Sequence, residues 1–167
     1  MSLYVIGVDP GISGGIALIG PDALTMVRGE HMPTMEMVGS RGRKIVDVRA
    51  AARILDRMLL EASHPSIRPV AVLEKVHAMP KQGVASSFSF GHNVGMIEAV
   101  LRLAVERVSV VSASTWKPRM NLSRDKAQSL AMARDRFGPH EVFAYKTKDG
   151  VAEAALIAAY WHKEHAN

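Results

Sequence analysis

Four acidic residues lie where carboxylates are costly unless they have a partner. Asp9 ends the apolar segment 3–9, and Glu74 ends a second apolar segment, residues 70–73. Asp149 and Glu153 are four residues apart in a segment with helical periodicity, which places them on one face of a helix. An acid in an apolar strand is expensive to desolvate when nothing pairs with it. Carboxylates at two strand ends and on one helix face are the oxygen ligands that Mg²⁺ prefers.

The elements that must position these acids follow from the hydrophobic pattern. Short apolar segments bounded by Gly and Pro predict five strands, at residues 3–9, 14–19, 24–28, 70–76 and 108–112. Apolar residues at helical spacing predict helices at residues 47–62, 91–106, 123–137 and 148–163. Ser123 is the predicted N-cap of the third helix. The segment 30–44 is interpreted as loop, and the segment 77–90 as loop or irregular helix.

The order of these elements predicts an α/β fold. The first three strands can form an antiparallel meander, and the later strands return through helical crossovers. The expected architecture is a mixed five-stranded sheet, with two parallel strands beside the meander and helices on both faces. The last helix is expected to bury one side, formed by Val151, Ala152, Ala155, Leu156, Ala159 and Tyr160. A chain of 167 residues favours one domain, residues 1–167.

Composition limits the function classes. The chain has 21 Lys and Arg against 16 Asp and Glu, a formal net charge of +5, which permits a nucleic-acid partner without requiring one. It contains no Cys, which excludes thiolate metal sites and suits a reducing cytoplasm, that of a bacterial host if a phage encodes the chain. No secretory signal and no membrane-spanning stretch are visible, so we expect no membrane association.

The chemistry of such an acidic group is that of phosphoryl transfer. If the two strands are neighbours and the last helix packs across the sheet edge, the four acids converge and raise one another's pKa. Two divalent ions about 4 Å apart would relieve that repulsion. One ion would activate a water and the other would stabilise the leaving oxygen, so no covalent nucleophile is required.

Three motifs in this order resemble the RuvC family of Holliday-junction resolvases, and its phage-encoded branch in particular. They are Gly7-Val8-Asp9-Pro10-Gly11 with Gly14-Gly15, Glu74 at the end of the fourth strand, and Asp149 with Glu153-Ala154-Ala155-Leu156-Ile157-Ala158. The resemblance covers almost the whole chain. It implies a ribonuclease-H-like fold, a homodimer, dependence on Mg²⁺ or Mn²⁺, and symmetric nicking of four-way DNA junctions.

The resemblance also implies roles for the four acids. Asp9, Glu74, Asp149 and Glu153 match the catalytic and metal-binding positions of the family. One departure concerns the last helix, where bacterial members usually carry two acids, or a His and an Asp, three residues apart. Here Gly150 occupies the matching position, and the acid is Asp149, four residues before Glu153. Four residues apart still share one helix face.

Basic residues near an aromatic residue are typical of contacts to nucleic acid. The segment 115–126 contains such a group, and glycines and basic residues also occur together in the loop after residue 38. The candidate DNA-binding residues are Arg41, Arg43, Lys44, Lys81, Trp116, Lys117, Arg119, Arg124 and Lys148. For each, a second interpretation stays open: Trp116 can be a core residue, and the charges can be solvated.

The predicted helix 91–106 is apolar over most of its surface. Glu98, Arg102 and Glu106 form one narrow charged stripe, and nearly all other side chains from Val94 to Val105 are apolar or small. A surface helix that packs against one core needs less apolar surface than this. Either the helix is deeply buried, or one face packs internally and the other forms a homodimer.

The sequence therefore favours a metal-dependent endonuclease that resolves branched DNA, in phage recombination or before packaging. A broader nuclease that also cuts flaps and forks is the first alternative. A second is a protein that binds junctions without cleaving them, against which the four acids argue. Half of an actin-like ATPase is the third, and the chain is too short for two such lobes.

Overall fold

The computed structural model describes residues 3–39, 42–62, 68–77, 83–123, 125–144 and 149–165. Seven strands are present in these ranges: β1 Val5–Asp9, β2 Gly15–Ile19, β3 Met26–His31, β4 Thr34–Glu36, β5 Lys44–Val46, β6 Val70–Lys75 and β7 Arg107–Ser112. Five of them form one sheet in the order β3-β2-β1-β6-β7. The first three strands pair antiparallel, and β1, β6 and β7 run parallel. The predicted mixed sheet is confirmed.

Helices cover both faces of this sheet. They are α1 Val48–Glu61, α2 Val84–Ala104, α3 Ala113–Arg119, α4 Lys126–Phe137 and α5 Gly150–His165. On one face α5 packs against β1 and β2, with α3 and α4 around it. On the other face α1 and α2 pack against each other and against the sheet. Because both faces of the central strands are covered, those strands are apolar at nearly every position.

Alternation along β1 divides its side chains between the two faces. Val5 belongs to the core under α5, whereas Ile6 and Val8 belong to the core under α1 and α2. At Gly7 the missing side chain is what matters, because a Cβ there would lie 1.9 Å from the Ala154 carbonyl oxygen. The helix backbone therefore rests directly on the strand backbone.

The same close approach recurs where α5 begins. A Cβ on Gly15 would lie 2.7 Å from the Val151 backbone, and one on Gly150 would lie 2.3 Å from Gly14. Gly14 and Gly150 also form a parallel β-bridge. The glycines after Asp9 thus serve as a docking surface for the last helix, and they fix the start of α5 against the end of β1.

Several predicted boundaries are wrong. The segment 30–44 is not all loop, because β3 continues to His31 and the antiparallel pair β4–β5 follows. Helix α2 begins at Val84, so of the two interpretations of the segment 77–90, loop or irregular helix, residues 84–90 are helical, and the helix predicted from residue 91 begins seven residues earlier. The N-cap of α4 is Asp125, whose carboxylate accepts a hydrogen bond from the Ala127 N–H at 2.9 Å. Ser123 instead accepts one from the Asp125 N–H. Capping propensity therefore predicted a short polar N-cap residue correctly, but placed it two residues before the actual N-cap.

Two apolar helices have burial patterns that the sequence did not distinguish. Helix α5 is buried around its whole circumference from Gly150 to Tyr160, not on one side as predicted. Helix α2 buries only Asn93, Ile97 and Leu101, so of its two predicted arrangements deep burial is wrong within this chain, and one face packs internally. No helix in the described ranges is long and apolar enough to span a membrane.

Substitution of Gly7 tests the backbone contact between β1 and α5. Gly7→Ala places a methyl group inside the van der Waals radius of backbone atoms that have no room to move. We expect it to lower the free energy of unfolding by about 3 kcal/mol or more, because overpacking of this kind forces the backbone apart. Urea denaturation followed by circular dichroism measures the change.

Gly91 is the matched control, because a Cβ there meets nothing within 4 Å and the residue lies within α2. Gly91→Ala is expected to stabilise the protein by about 0.5–1 kcal/mol through helix propensity. Equal effects of the two substitutions would contradict the proposed contact.

Candidate active site

The register of the sheet brings Asp9 and Glu74 together. Strands β1 and β6 are parallel neighbours in which Val8 lies opposite Leu73, so the next residues, Asp9 and Glu74, lie side by side. Both occupy the carboxyl ends of their strands. The charge of Glu74 acts directly on Asp9. The sequence predicted this proximity of Asp9 and Glu74 only if their strands were neighbours, and the structure shows that they are.

Helix α5 brings the other two acids to the same sheet edge. Asp149 directly precedes the helix, and its carbonyl accepts a hydrogen bond from the Glu153 N–H at 2.9 Å. The two residues are thus one turn apart at the helix N-terminus, where the helix dipole favours negative charge. Both are buried. The bridge between Gly14 and Gly150 holds this turn against the start of β2.

Asp9 is the acid most perturbed by this arrangement. Burial raises its pKa from 3.8 to about 7, and the charges of Glu74 and Glu153 act in the same direction. The Gly11 N–H donates to Oδ1 at 3.2 Å, and with the charge of Lys126 it opposes the shift. One carboxylate thus senses acids from β6 and from α5, so the three lie within one electrostatic environment.

Glu74 has a single described hydrogen-bond donor. The indole Nε1–H of Trp116, in α3, donates to Glu74 Oε1 at 2.9 Å. Burial raises the pKa of Glu74, and the charge of Glu153 adds to the shift. The Trp116 hydrogen bond and the charges of Lys117 and Lys126 oppose it.

Two lysines supply positive charge to the acids of α5. Lys117 Nζ lies 2.5 Å from Glu153 Oε1, and the same oxygen accepts a hydrogen bond from the buried Ser129 hydroxyl at 3.0 Å. Lys126 Nζ lies 3.1 Å from Asp149 Oδ2 and 3.4 Å from Oδ1. Partial burial opposes the charge of Lys126, but Asp149, Glu153 and Asp9 outweigh it and raise the Lys126 pKa.

The donor set fits a hard divalent cation. All four acids offer carboxylate oxygens, and Asp149 Oδ2 is buried without a hydrogen-bond partner although Lys126 is near. A buried oxygen in this condition is a candidate ligand. Within the described ranges, no three His, Cys, Asp or Glu side chains are close enough to form a complete metal site. The lysine ion pairs take up part of the carboxylate charge, so an ion that binds here must compete with them.

The structure corrects two of the predicted DNA-binding residues. Trp116 is wholly buried and bonded to Glu74, so it cannot stack on a base. Lys117 is buried and paired with Glu153, so it belongs to the acidic group rather than to a phosphate-binding surface. Both were placed by a local pattern of basic and aromatic residues, which does not indicate which side of α3 faces the sheet.

The remaining predicted DNA-binding residues are exposed or lie outside the described ranges. Arg43 and Lys44 are exposed at the β4–β5 hairpin. Arg119 is exposed, and its guanidinium lies 3.4 Å from Glu164. The ones that the structure does not describe are Arg41, Lys81, Arg124 and Lys148.

Sequence analysis missed Lys126 and Ser129 as members of the site. They lie three residues apart at the start of α4, and both reach carboxylates of α5. A weak signal existed, because Ser129 is a polar residue beside Leu130 on the face that also carries Ala133. That pattern does not identify the acid that the hydroxyl meets, since this depends on how α4 packs on α5.

The raised pKa of Asp9 predicts a pH-dependent stability. An acid whose folded pKa is about 7 and whose unfolded pKa is about 3.8 binds its proton more tightly in the folded state. Stability is therefore lost as pH rises between these values. In EDTA at pH 8, Asp9→Asn should raise the free energy of unfolding by on the order of 1–3 kcal/mol. The difference in free energy of unfolding between Asp9→Asn and wild type should disappear near pH 4. Thermal melts recorded across this pH range measure it.

Asp22 provides a control, because its pKa is shifted in the opposite direction to that of Asp9. Its exposed carboxylate accepts hydrogen bonds from Thr25 and Leu24, which lower its pKa. Its contribution to stability is present above the unfolded pKa and is lost as pH falls. Asp22→Asn should therefore not stabilise the protein at pH 8, and stabilisation by both substitutions would indicate a general charge effect.

Comparison with known proteins bears on the fold. No protein-family model and no curated protein sequence matches this chain. Solved structures do match it, among them the following two. One is RuvC from Thermus thermophilus in complex with a Holliday junction substrate, with a TM-score of 0.66 and 18% sequence identity over 97% of this chain and 96% of that chain. The other is a Thermus thermophilus RuvC structure, with a TM-score of 0.63 and 16% identity over the same shares.

At these identities the likeness concerns the fold. It extends over nearly the full length of both chains. The resemblance stated from the motifs is thereby confirmed as a structural one. The chain has the fold of the RuvC resolvase structures, a mixed α/β architecture of the ribonuclease-H-like class.

Proposed function

We propose that this protein is a metal-dependent endonuclease that cleaves branched DNA and resolves four-way junctions by symmetric nicking. The observation that supports the proposal is that Asp9 and Glu74 lie side by side at one edge of the sheet, where the charge of Glu153 from α5 acts on both. The fold likeness supports the substrate class, since one neighbour was solved in complex with a Holliday junction substrate.

The four carboxylates are the residues that would hold the metal. Asp9, Glu74, Asp149 and Glu153 offer only oxygen ligands, and Mg²⁺ or Mn²⁺, two ions per site, fits them by charge and hardness. When bound, divalent ions supply an activated water and stabilise the leaving oxygen of a phosphodiester. The raised pKa of Asp9 supports this assignment, because bound cations would stabilise a carboxylate whose charge is disfavoured first by burial and then by neighbouring acids.

The protein's own cations have separate roles in this proposal. Lys117 is buried against Glu153, where it and Ser129 fix one carboxylate oxygen. The side chain of Lys126 is 71% exposed and lies on the solvent side of Asp149. An ammonium there is placed to contact the phosphate that is cleaved, and such contacts orient the substrate and stabilise developing charge.

Symmetric nicking requires two sites related by a two-fold axis, and α2 offers a surface for such an interface. Phe88 is 78% exposed and Leu103 is 89% exposed. Both lie on the side of α2 away from Ile97 and Leu101, together with Val84, Gly95 and Ala99. The exposed ion pair between Arg102 and Glu98 borders this apolar surface. A Cβ on Gly95 meets nothing within 4 Å, so a second molecule can approach closely there. We infer that this face of α2, predicted as the interface from residues 91–106, forms the homodimer.

The proposed DNA-contacting surface consists of exposed basic side chains. Arg43 and Lys44 on the β4–β5 hairpin and Arg119 on α3 are solvent-accessible. Arg41, Lys81, Arg124 and Lys148 keep the role proposed from the sequence. Contacts of these types to phosphates position a duplex without reading its sequence.

A cleavage assay with amide variants tests the chemistry. Wild-type protein with Mg²⁺ should cut a four-way junction at symmetric positions. Asp9→Asn, Glu74→Gln and Glu153→Gln should each lower the rate by on the order of 10²-fold or more, because ligand loss disrupts metal placement. Asp149→Asn should act in the same direction. Junction affinity, measured by gel shift, should change little.

Glu164→Gln is the matched control, since Glu164 is an acid of α5 that pairs with Arg119 away from the acidic group. It should leave cleavage unchanged. Equal cutting of flap and fork substrates would favour the broader nuclease. Junction binding without cleavage of any substrate would favour a binding protein and would refute the proposed activity.

Two exposed leucines test the dimer. Leu103→Gln on α2 should convert a dimer of twice 18.1 kDa to monomer, because it places a polar group in the proposed apolar contact. Leu60→Gln on α1 is the control, since Leu60 is 75% exposed on the other helix of this layer. Light scattering at micromolar concentration measures both. A wild-type protein that remains monomeric with and without junction DNA would remove the interface.

A further inference from the structure

Glu74 is held through only one of its two carboxylate oxygens. Its Oε1 accepts the hydrogen bond from Trp116 Nε1 at 2.9 Å. Among the described residues, no group donates to Oε2. The carboxylate is buried at the end of β6, beside Asp9. One oxygen is therefore fixed by the protein, and the other remains for a ligand.

The donor of this hydrogen bond is rigid. Trp116 is wholly buried in the core under α5, in a short helix that follows β7 directly, and β7 is the neighbour of β6. An indole packed on all sides has no alternative rotamer available without repacking the core. Lys117 and Lys126, by contrast, act on Glu74 through charge alone.

The energetic effect of the contact agrees with this geometry. Burial raises the pKa of Glu74, and the Trp116 hydrogen bond is the largest of the influences that lower it. Without the indole N–H, the carboxylate would lose its one described hydrogen-bond donor. The orientation of the Glu74 carboxylate therefore depends on Trp116.

We propose that Trp116 is a positioning residue for Glu74: its N–H fixes Oε1 and leaves Oε2 directed at a divalent cation. The inference rests on the proposed function in treating Glu74 as a metal ligand. Outer-shell donors of this kind hold ligand carboxylates in one orientation, and their loss typically weakens metal affinity by 10–100-fold. The core position predicted as one interpretation of Trp116 thus has a consequence for the site.

The chain contains a matched control for this proposal. It has two tryptophans, and the indole N–H of Trp161 is also buried but has no hydrogen-bond partner. Trp116→Phe removes a bonded N–H, whereas Trp161→Phe removes an unbonded one. We expect Trp116→Phe to raise the Mn²⁺ dissociation constant, measured by calorimetry, by roughly 10-fold or more. Trp161→Phe should leave it within about two-fold of wild type.

A spectroscopic measurement keeps the test decisive if Trp116→Phe fails to fold. In Trp161→Phe protein, Trp116 is the only tryptophan, and its emission should change when Mg²⁺ binds the carboxylate bonded to its N–H. Adding Glu74→Gln should abolish the change. Unaltered emission at saturating Mg²⁺, or unaltered Mn²⁺ affinity in folded Trp116→Phe, would overturn the proposal. So would a wild-type protein that binds neither ion.

Failure of this inference is distinguishable from failure of the proposed function. If wild-type protein cleaves a junction while Trp116→Phe binds Mn²⁺ normally, the nuclease stands and the positioning role falls. If wild-type protein cleaves no branched DNA but its metal affinity depends on Trp116, the positioning role stands and the nuclease falls.

Discussion

The contact between the backbone of α5 and the backbones of β1 and β2 is the constraint on which the rest of the structure depends. Gly7 lets the helix rest on the central strand, and the pair Gly14 and Gly150 brings its first turn to the end of β1. Side chains at these positions would push the helix outward. Asp149 and Glu153 would then be displaced from Asp9. The position of these acids therefore depends on the absence of side chains at the glycines.

That proximity creates an electrostatic cost which the fold offsets only in part. Burial and, to a lesser extent, neighbouring acids raise the pKa of both Asp9 and Glu74. Lys117 and Lys126 take up charge on the α5 side, but Asp149 Oδ2 remains buried without a hydrogen bond. Burial of partly compensated charge is costly for stability. A site of this kind is expected where the charge is needed for a ligand rather than for the fold.

Helices α2 and α5 demonstrate how similar compositions reach different environments. Both are apolar over most of their surface. The sheet, α3 and α4 together surround α5, whereas α2 packs against α1, β5 and β7 on one side and leaves its other side exposed. The unpartnered face of α2 is the basis of the proposed dimer. The number of elements packed on each side of the sheet determines how much of each helix is buried. The periodicity within one helix carries no information about those neighbours.

The sequence by itself determined the order and type of the main elements, because apolar periodicity and turn residues are local properties. It also located the four acids, since an acid at the end of an apolar strand is conspicuous. It placed Trp116 and Lys117 wrongly on a DNA surface, and it missed the short β4–β5 pair, Lys126 and Ser129. Only the tertiary structure decided which carboxylate meets which donor. That outcome depends on how α3 packs against β6 and α5 and how α4 packs against the start of α5. The contacts of α3 join residues 36 to 42 positions apart and those of α4 join residues 23 to 24 apart, and no local pattern encodes such proximity.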